Sequence, residues 1–322
     1  MSWESNIDWQ TAKLRANYIH KIREFFIERG VVEVETPLLC HGTVTDVYLE
    51  AFKCQFDYEK LMTPSDLYLQ TSPEFAMKRL IASGYGSIFQ LCKAFRHEES
   101  GRFHNPEFSM LEWYRIGFDH FELMDEVDDL LALILKCDQA DRYTYQEVFL
   151  KHLNIDPLAC SIETLKYALH KYNIMGDWIE EEQDIDILLQ VLFSECIESK
   201  IGLHVPCFVY NFPKNQASLA RISQDNPFVA ERFECYFKGI ELANGFNELT
   251  DSTEQKERFQ RDNIKRQSLE KNMKPVDSHF IEALDKGLPQ CSGVALGVDR
   301  LLMIALNKED ISATMTFNIN NA

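Results

Sequence analysis

The sequence predicts an α+β protein: a mostly antiparallel sheet with helices packed around it and a helical insertion in the middle. Three observations lead there. Strand-like runs recur at 31–35, 67–71, 88–95, 108–114, 207–211 and 233–242, and again in a strand–helix unit at 292–306. Most of these runs are not joined by the short, regular crossover helices that a parallel sheet requires. Helical periodicity and an acidic run are concentrated between 145 and 200. No repeat, low-complexity tract or Gly/Ser linker divides the 322 residues, so they read as one domain, 1–322, with an insertion at about 145–200.

Each element has a local reason. A helix over 12–29 puts Leu14, Tyr18, Ile22, Phe25 and Phe26 on one face and stops at Gly30. Val31-Val32-Glu33-Val34-Glu35 then alternates as a strand and ends before Thr36-Pro37. Ser72-Pro73-Glu74 opens a helix, with Ser72 as N-cap and Pro73 in the first turn, and Gly84 closes it. Residues 122–137 form an apolar-faced helix, and the insertion carries helical patterns at 164–172 and 185–199, with Glu180-Glu181-Glu182 on a solvated side. A charged helix at 253–271 starts from Ser252-x-x-Gln255 as a capping box.

Composition bounds the function. Hydrophobic residues at 45% and charged residues at 26% are an ordinary globular balance. The longest apolar runs, 130–135 and 301–306, fall far short of the ~20 residues that span a bilayer, and the N-terminus reads as no export signal. Nine cysteines without a C-x-x-C pair argue against a disulfide framework and a zinc site, and place the chain in the reducing cytoplasm. A net charge of −18 disfavours tRNA or DNA as the principal partner.

Three constellations carry chemistry. Phe95-Arg96-His97-Glu98-Glu99-Ser100-Gly101-Arg102-Phe103-His104-Asn105-Pro106-Glu107-Phe108 reads as a strand, a polar loop and a returning strand. Such a loop can fold over a triphosphate, or simply be a charged hairpin tip. In the run from Glu234 through Glu241-Leu-Ala-Asn244-Gly-Phe246-Asn-Glu248, alternation puts Glu234, Asn244 and Glu248 on one face and Glu241 opposite; a bulge at Gly245 would bring Glu241 round. Carboxylates among apolar neighbours call for cations, either Mg²⁺ or an ammonium-bearing substrate, unless they lie on an exposed edge. Gly293-Val-Ala295-Leu-Gly297-Val-Asp299-Arg300 permits close backbone approach and sets an Arg at a strand–helix junction, a pattern that packing alone can also produce.

Together and in this order, the three resemble the signature motifs of class II aminoacyl-tRNA synthetases. Gly30–Leu39 (GVVEVETPLL), with the preceding helix, looks like motif 1, whose proline sits at the dimer interface; Arg96–Tyr114 resembles motif 2 and Gly293–Arg300 motif 3. Thr71-Ser-Pro-Glu74, His104-Asn-Pro-Glu-Phe108 and Glu241–Glu248 (ELANGFNEL) resemble the lysyl-tRNA synthetases in particular, over nearly the whole chain. Motif 1 begins almost at the first residue, leaving no room for the anticodon-reading domain. That layout matches the synthetase-like ligases that attach (R)-β-lysine to a lysine of translation elongation factor P. Gly101-Arg102-x-His104, Ala217 and Ala295 point the same way, where synthetases have an adjacent Arg-His, a proline and a glycine; Phe103 departs from the ligase pattern too, which has a basic residue or histidine there.

The resemblance implies attack of an amino-acid carboxylate on the α-phosphorus of ATP, catalysed by positioning and charge neutralisation rather than by a covalent intermediate. By the same resemblance Arg96 bridges carboxylate and α-phosphate, Phe108 and Arg300 sandwich adenine with Glu98 near its amine, and His104, with Arg102 and Asn105, belongs to the phosphate-binding loop. Glu234 and Glu241 hold Mg²⁺. Glu248 and Tyr114 take the distal ammonium of β-lysine or lysine; Ser72, Glu74, Glu112 and Asn244 take the other amine and its orientation; Phe246 packs on the methylenes, and Ala295 borders the pocket. The expected partner is elongation factor P and the expected state a homodimer. The rival readings are a non-catalytic regulatory paralogue, which has no need of Arg96, Arg300, Glu234 and Glu241, and a minimal tRNA-charging enzyme. A basic helix near 256–274, with Lys265 and Arg266, is either a contact for the acceptor or a solvated helix with Glu257–Arg261 and Asp262–Arg266 pairs.

Overall fold

The computed structural model describes residues 3–57, 65–97 and 100–322, with only the backbone of Ser65. It divides into two compact units, Met1–Gly117 with Thr250–Ala322, and Phe118–Leu249. Both are α+β.

In the first unit the helix Trp9–Glu28 starts at Asp8, whose side chain accepts from the Thr11 amide, and Gly30 follows it at φ 68°. Its buried residues are Thr11, Ile22, Phe25 and Phe26, whereas Leu14 is exposed. A turn beyond Thr11, Arg15 lies against Asp299 at 2.7 Å, and it is this ion pair, not Leu14, that continues the inward face. Phe26 stacks on Phe89 (4.6 Å) and meets Trp113 edge-on (5.1 Å), sealing the helix to a sheet. The strands run Val32–Glu33, Ile88–Phe95, Glu107–Ile116, Cys291–Gly297, the first pair parallel and the others antiparallel. The expected strand at 31–35 is shorter, because the chain leaves the ladder before Pro37, which has no amide to donate. Leu39–Cys40, Ser65–Leu69 and Lys53–Phe56 form a second, antiparallel sheet.

Two helix starts differ from expectation. Pro73, not Ser72, occupies the cap position of Glu74–Ala82; the Ser72 hydroxyl accepts from the Glu74 amide at 3.0 Å one step further back. Ser252–Ser268 is capped by Asp251, which accepts from the Thr253 and Glu254 amides, and Gln255 is buried. Several basic residues of that region turn inward, although Arg261 stays exposed. Arg266, 1% exposed, donates to the carbonyls of Asp46 and Asn272 (both 2.7 Å) and to Glu50, which also receives Lys274. Lys271 reaches the Val47 carbonyl at 2.8 Å, and Asp262 accepts the Thr45 hydroxyl at 2.7 Å instead of pairing with Arg266. A buried guanidinium needs a full set of acceptors, so Arg266 is neither a solvated i,i+4 partner nor an exposed contact for a macromolecule.

In the second unit the strands run Asp141–Thr144, Cys207–Pro213, Val229–Phe237, Ile240–Asn247, with a parallel first pair and antiparallel pairs after it. His120–Leu135 opens with a capping box between Asp119 and Glu122. Tyr145–Leu153, Ile162–Lys171, Trp178–Glu181 and Ile185–Cys196 are the α-helices between 145 and 200, with Glu180 and Glu181 exposed. These helices share a core with the strands: Tyr145 stacks on Phe193 (5.3 Å) and lies 4.9 Å from Phe212, and Phe193 is 5.6 Å from Tyr236. The expected single strand at 233–242 is instead two strands of a hairpin. Lys238 and Gly239, with φ of 52° and 71°, make a two-residue turn of the hand that matches strand twist. Among the described residues no helix is long and apolar enough to cross a membrane.

Candidate active site

In the first unit three segments meet at Glu112. The strand pairing sets Glu112 between Gln90 on one side and Ala295 on the other. Because residues in register share a face, Gly293, Ala295 and Gly297 stand opposite Tyr114, Glu112 and Met110. Small residues therefore stand at every second position on the strand beside this carboxylate. The Ser72 hydroxyl donates to one Glu112 oxygen and the Tyr114 hydroxyl to the other, each at 2.7 Å. Glu74, in the first turn of its helix, is paired with the buried Lys78 at 2.6 Å. A cavity of about 370 Å³ adjoins Ser72 and Glu74 and is lined also by Cys40, His41, Thr71 and Asp277. Burial pushes the Glu112 carboxyl up to about 7; the Glu74 charge adds to the rise, while Ser72, Tyr114 and Lys78 oppose it.

The loop between the strands Ile88–Phe95 and Glu107–Ile116 carries the next group. The Arg96 guanidinium lies 5.3 Å from the centre of the Phe108 ring. Gly101 and His104 pair backbone to backbone across the tip. Arg300, in the first turn after Gly297, contacts the His104 ring at 2.8 Å and donates to the Phe103 carbonyl at 3.2 Å. Arg102 turns to the Glu309 carbonyl at 2.7 Å, with its guanidinium 4.8 Å from the Phe103 ring. The Asn105 amide donates to the Glu107 carbonyl (2.6 Å) and accepts from the Ile319 amide (3.0 Å), so it braces the loop. Glu98 lies outside the described residues.

The second unit holds the remaining carboxylates on its hairpin. Asn244 is in register with Glu234, and Glu241 with Tyr236. A bulge between Glu241 and Ala243 shifts the parity, so Glu241 joins Glu234 and Asn244 on one face. The expected bulge is therefore present, but it sits before Gly245. Glu234 accepts from Arg232, from the Tyr236 hydroxyl and from Asn244 (3.2 Å). Burial raises its pKa, Arg232 lowers it and Glu241 raises it further. Phe246 pairs with Arg232 across the hairpin and packs on Ala217, Ala220 and Ala230. Glu248, buried, forms an isolated antiparallel bridge with Ala220, earlier in the chain.

Two carboxylates on one face suit a divalent cation that completes its shell with phosphate and water oxygens. Among the described residues there is no group of three or more His, Cys, Asp or Glu that could hold a metal by itself. Sequence reading missed Arg232 and Tyr236, although the alternation Arg232-x-Glu234-x-Tyr236 puts all three on one face. It also gave no role to Asp299, which accepts the Ser109 amide at 2.6 Å and pairs with Arg15, tying the third motif to the second and to the first helix.

A family model for class II tRNA synthetases (D, K and N) matches residues 4–321. The chain belongs to this family. Curated relatives named elongation factor P–(R)-β-lysine ligase include one from Vibrio cholerae, 53% identical over 97% of this chain and 98% of its own. Others come from Vibrio atlanticus, 52% identical over 98% of each chain, and from Pectobacterium atrosepticum, 51% identical over 100% of this chain and 98% of the relative.

A pH dependence of stability follows from Glu112. Between an ordinary value of 4.5 and about 7 the folded chain holds a proton that the unfolded chain has released. That contribution to stability is therefore complete below about pH 4.5 and lost as pH rises through about 7. Urea unfolding across that window should show Glu112→Gln losing less stability with rising pH than the wild type; parallel curves would place the titration elsewhere.

Proposed function

We propose that this chain activates (R)-β-lysine with ATP and transfers the aminoacyl group to a lysine side chain of translation elongation factor P. The observation that carries the reading is the Glu112 cluster beside the small residues Gly293, Ala295 and Gly297: a buried acid met by the Ser72 and Tyr114 hydroxyls, in a family of amino-acid-activating enzymes. The relatives' shared name supplies the amino acid and the acceptor.

In this reading a carboxylate oxygen of the amino acid attacks the α-phosphorus of ATP, and the bond to pyrophosphate breaks. The acceptor amine then attacks the acyl carbon, AMP leaves and the amine gives up a proton. Arg96 neutralises the meeting of two anions, with a fork of donors suited to carboxylate and phosphate. Phe108 and Arg300 hold the base, with Glu98 at its amine. His104 and Arg102 face the outer phosphates on the loop that Asn105 braces. Glu234 and Glu241 would hold Mg²⁺, which neutralises phosphate charge when bound. Glu112, Glu74, Ser72 and Asn244 orient one ammonium of the substrate; Glu248 and Tyr114 take the other, and Phe246 covers the chain between them. Nine free cysteines fit a reducing cytoplasm, which cell fractionation checks. A homodimer through motif 1 accords with Ile27, Val32, Leu38 and Leu39, apolar residues exposed along that segment.

The chain should catalyse ATP–pyrophosphate exchange with (R)-β-lysine in the absence of tRNA and add the residue's mass to elongation factor P. Arg96→Ala should lower exchange ~10²–10³-fold; exchange near the wild-type rate would remove Arg96 from this role. Ala295→Gly should raise kcat/KM for lysine relative to β-lysine several-fold, since one methyl in a pocket is worth ~1–3 kcal/mol. An unchanged ratio would make Ala295 a packing residue. Sedimentation at micromolar concentration should show a dimer, and a lone 37.5 kDa species would rule it out.

A further inference from the structure

We propose that Arg232 is a positioning residue that holds Glu234 in a pre-paired state, so that Glu234 and Glu241 take up a divalent cation only together with the phosphates of the nucleotide. This rests on the reading that these two carboxylates hold the cation. Arg232 and Glu234 lie two residues apart on one strand face, and the guanidinium donates directly to a Glu234 oxygen. The other nitrogen at its tip donates to the Gln216 carbonyl at 2.6 Å, and the fork lies 4.5 Å from the centre of the Phe212 ring. Gln216 is itself held by Asp186, at the start of the helix Ile185–Cys196, at 3.3 Å. The cation therefore cannot swing away from Glu234 without leaving its aromatic seat and breaking a bond to a backbone carbonyl.

Two consequences follow. Glu234 has a single orientation: Tyr236 fixes one oxygen, and Arg232 and Asn244 hold the other. Arg232 also meets the Glu234 charge before any cation arrives, so this carboxylate adds little attraction of its own. A small divalent ion gives up its water reluctantly and binds through one or two carboxylates plus phosphates. With one charge already met from within the fold, the hairpin alone is a weak cation site, and the triphosphate has to supply the missing anionic oxygens. Phe212 and Tyr236, which frame this arrangement, belong to the core shared with the helical insertion. The insertion thereby gains a part in positioning the site.

The test is binding of Mn²⁺ to the full-length protein, followed by electron paramagnetic resonance with and without a non-hydrolysable ATP analogue. Wild type and Arg232→Lys, which keeps the charge, should bind Mn²⁺ appreciably only with the analogue. Arg232→Gln should bind Mn²⁺ without nucleotide at least about tenfold more tightly than wild type, the scale of one unit charge near a protein surface. A purely structural role predicts that Arg232→Lys behaves like Arg232→Gln, since both lose the planar fork, and that result would overturn the proposal. So would nucleotide-independent Mn²⁺ binding by the wild type, a measurement that decides the matter even if Arg232→Gln does not fold. Glu241→Gln separates the two levels. If it leaves analogue-dependent Mn²⁺ binding intact, the carboxylates are not the cation site; if it abolishes that binding while Arg232→Gln still matches wild type, only the role of Arg232 fails.

Discussion

A carboxylate taken out of water loses several kcal/mol of hydration that must be returned by close donors, and Glu112 in the first unit and Glu234 in the second are two that this protein takes in. Glu112 receives two hydroxyls and no direct cation, so its proton is held more firmly. Glu234 receives a guanidinium, a phenol and an amide. Much of the surrounding architecture serves these two demands. The register of three strands brings Gln90, Glu112 and Ala295 abreast, while the Ser72-Pro73-Glu74 turn delivers a hydroxyl to the carboxylate and Glu74 stays near enough to raise its pKa.

The difference between the two sites is chemically useful. An acid met only by neutral donors is poised to receive an ammonium group, because an arriving cation supplies the missing charge. An acid already met by Arg232 has less need of one, and Glu241 lies half-buried on the same face. In the proposed function, amine recognition and phosphate neutralisation would thus draw on the same side-chain chemistry, distinguished by what each carboxylate is bonded to beforehand.

The loop around Arg96 is held by contacts from the third motif. Asp299 joins the amide of Ser109 and the guanidinium of Arg15, and Arg300 beside it contacts His104 and the Phe103 carbonyl. Adjacent residues of one helical turn thereby lock the strand after the loop and the loop tip. Such preorganisation is what a reaction needs when its obstacle is the approach of two anions.

Local periodicity and stop signals were enough to place most helices and strands, the α+β class and the three motifs, because apolar spacing and turn residues act over a few neighbours. The motif order, read residue by residue, determined the family and the candidate residues. What it could not determine were contacts made across the chain. Nothing local reveals that Arg266 is buried against Glu50, over two hundred residues away in sequence, or that Arg15 replaces Leu14 on the inner face because Asp299 waits there. The parity of Glu241 likewise depended on where a bulge fell, and Lys238-Gly239 turned an apparent strand into a hairpin. Period-two reasoning is certain only within an unbroken strand: one extra residue reverses every side chain beyond it, and its position is chosen by the pairing strand, which only the tertiary structure supplies.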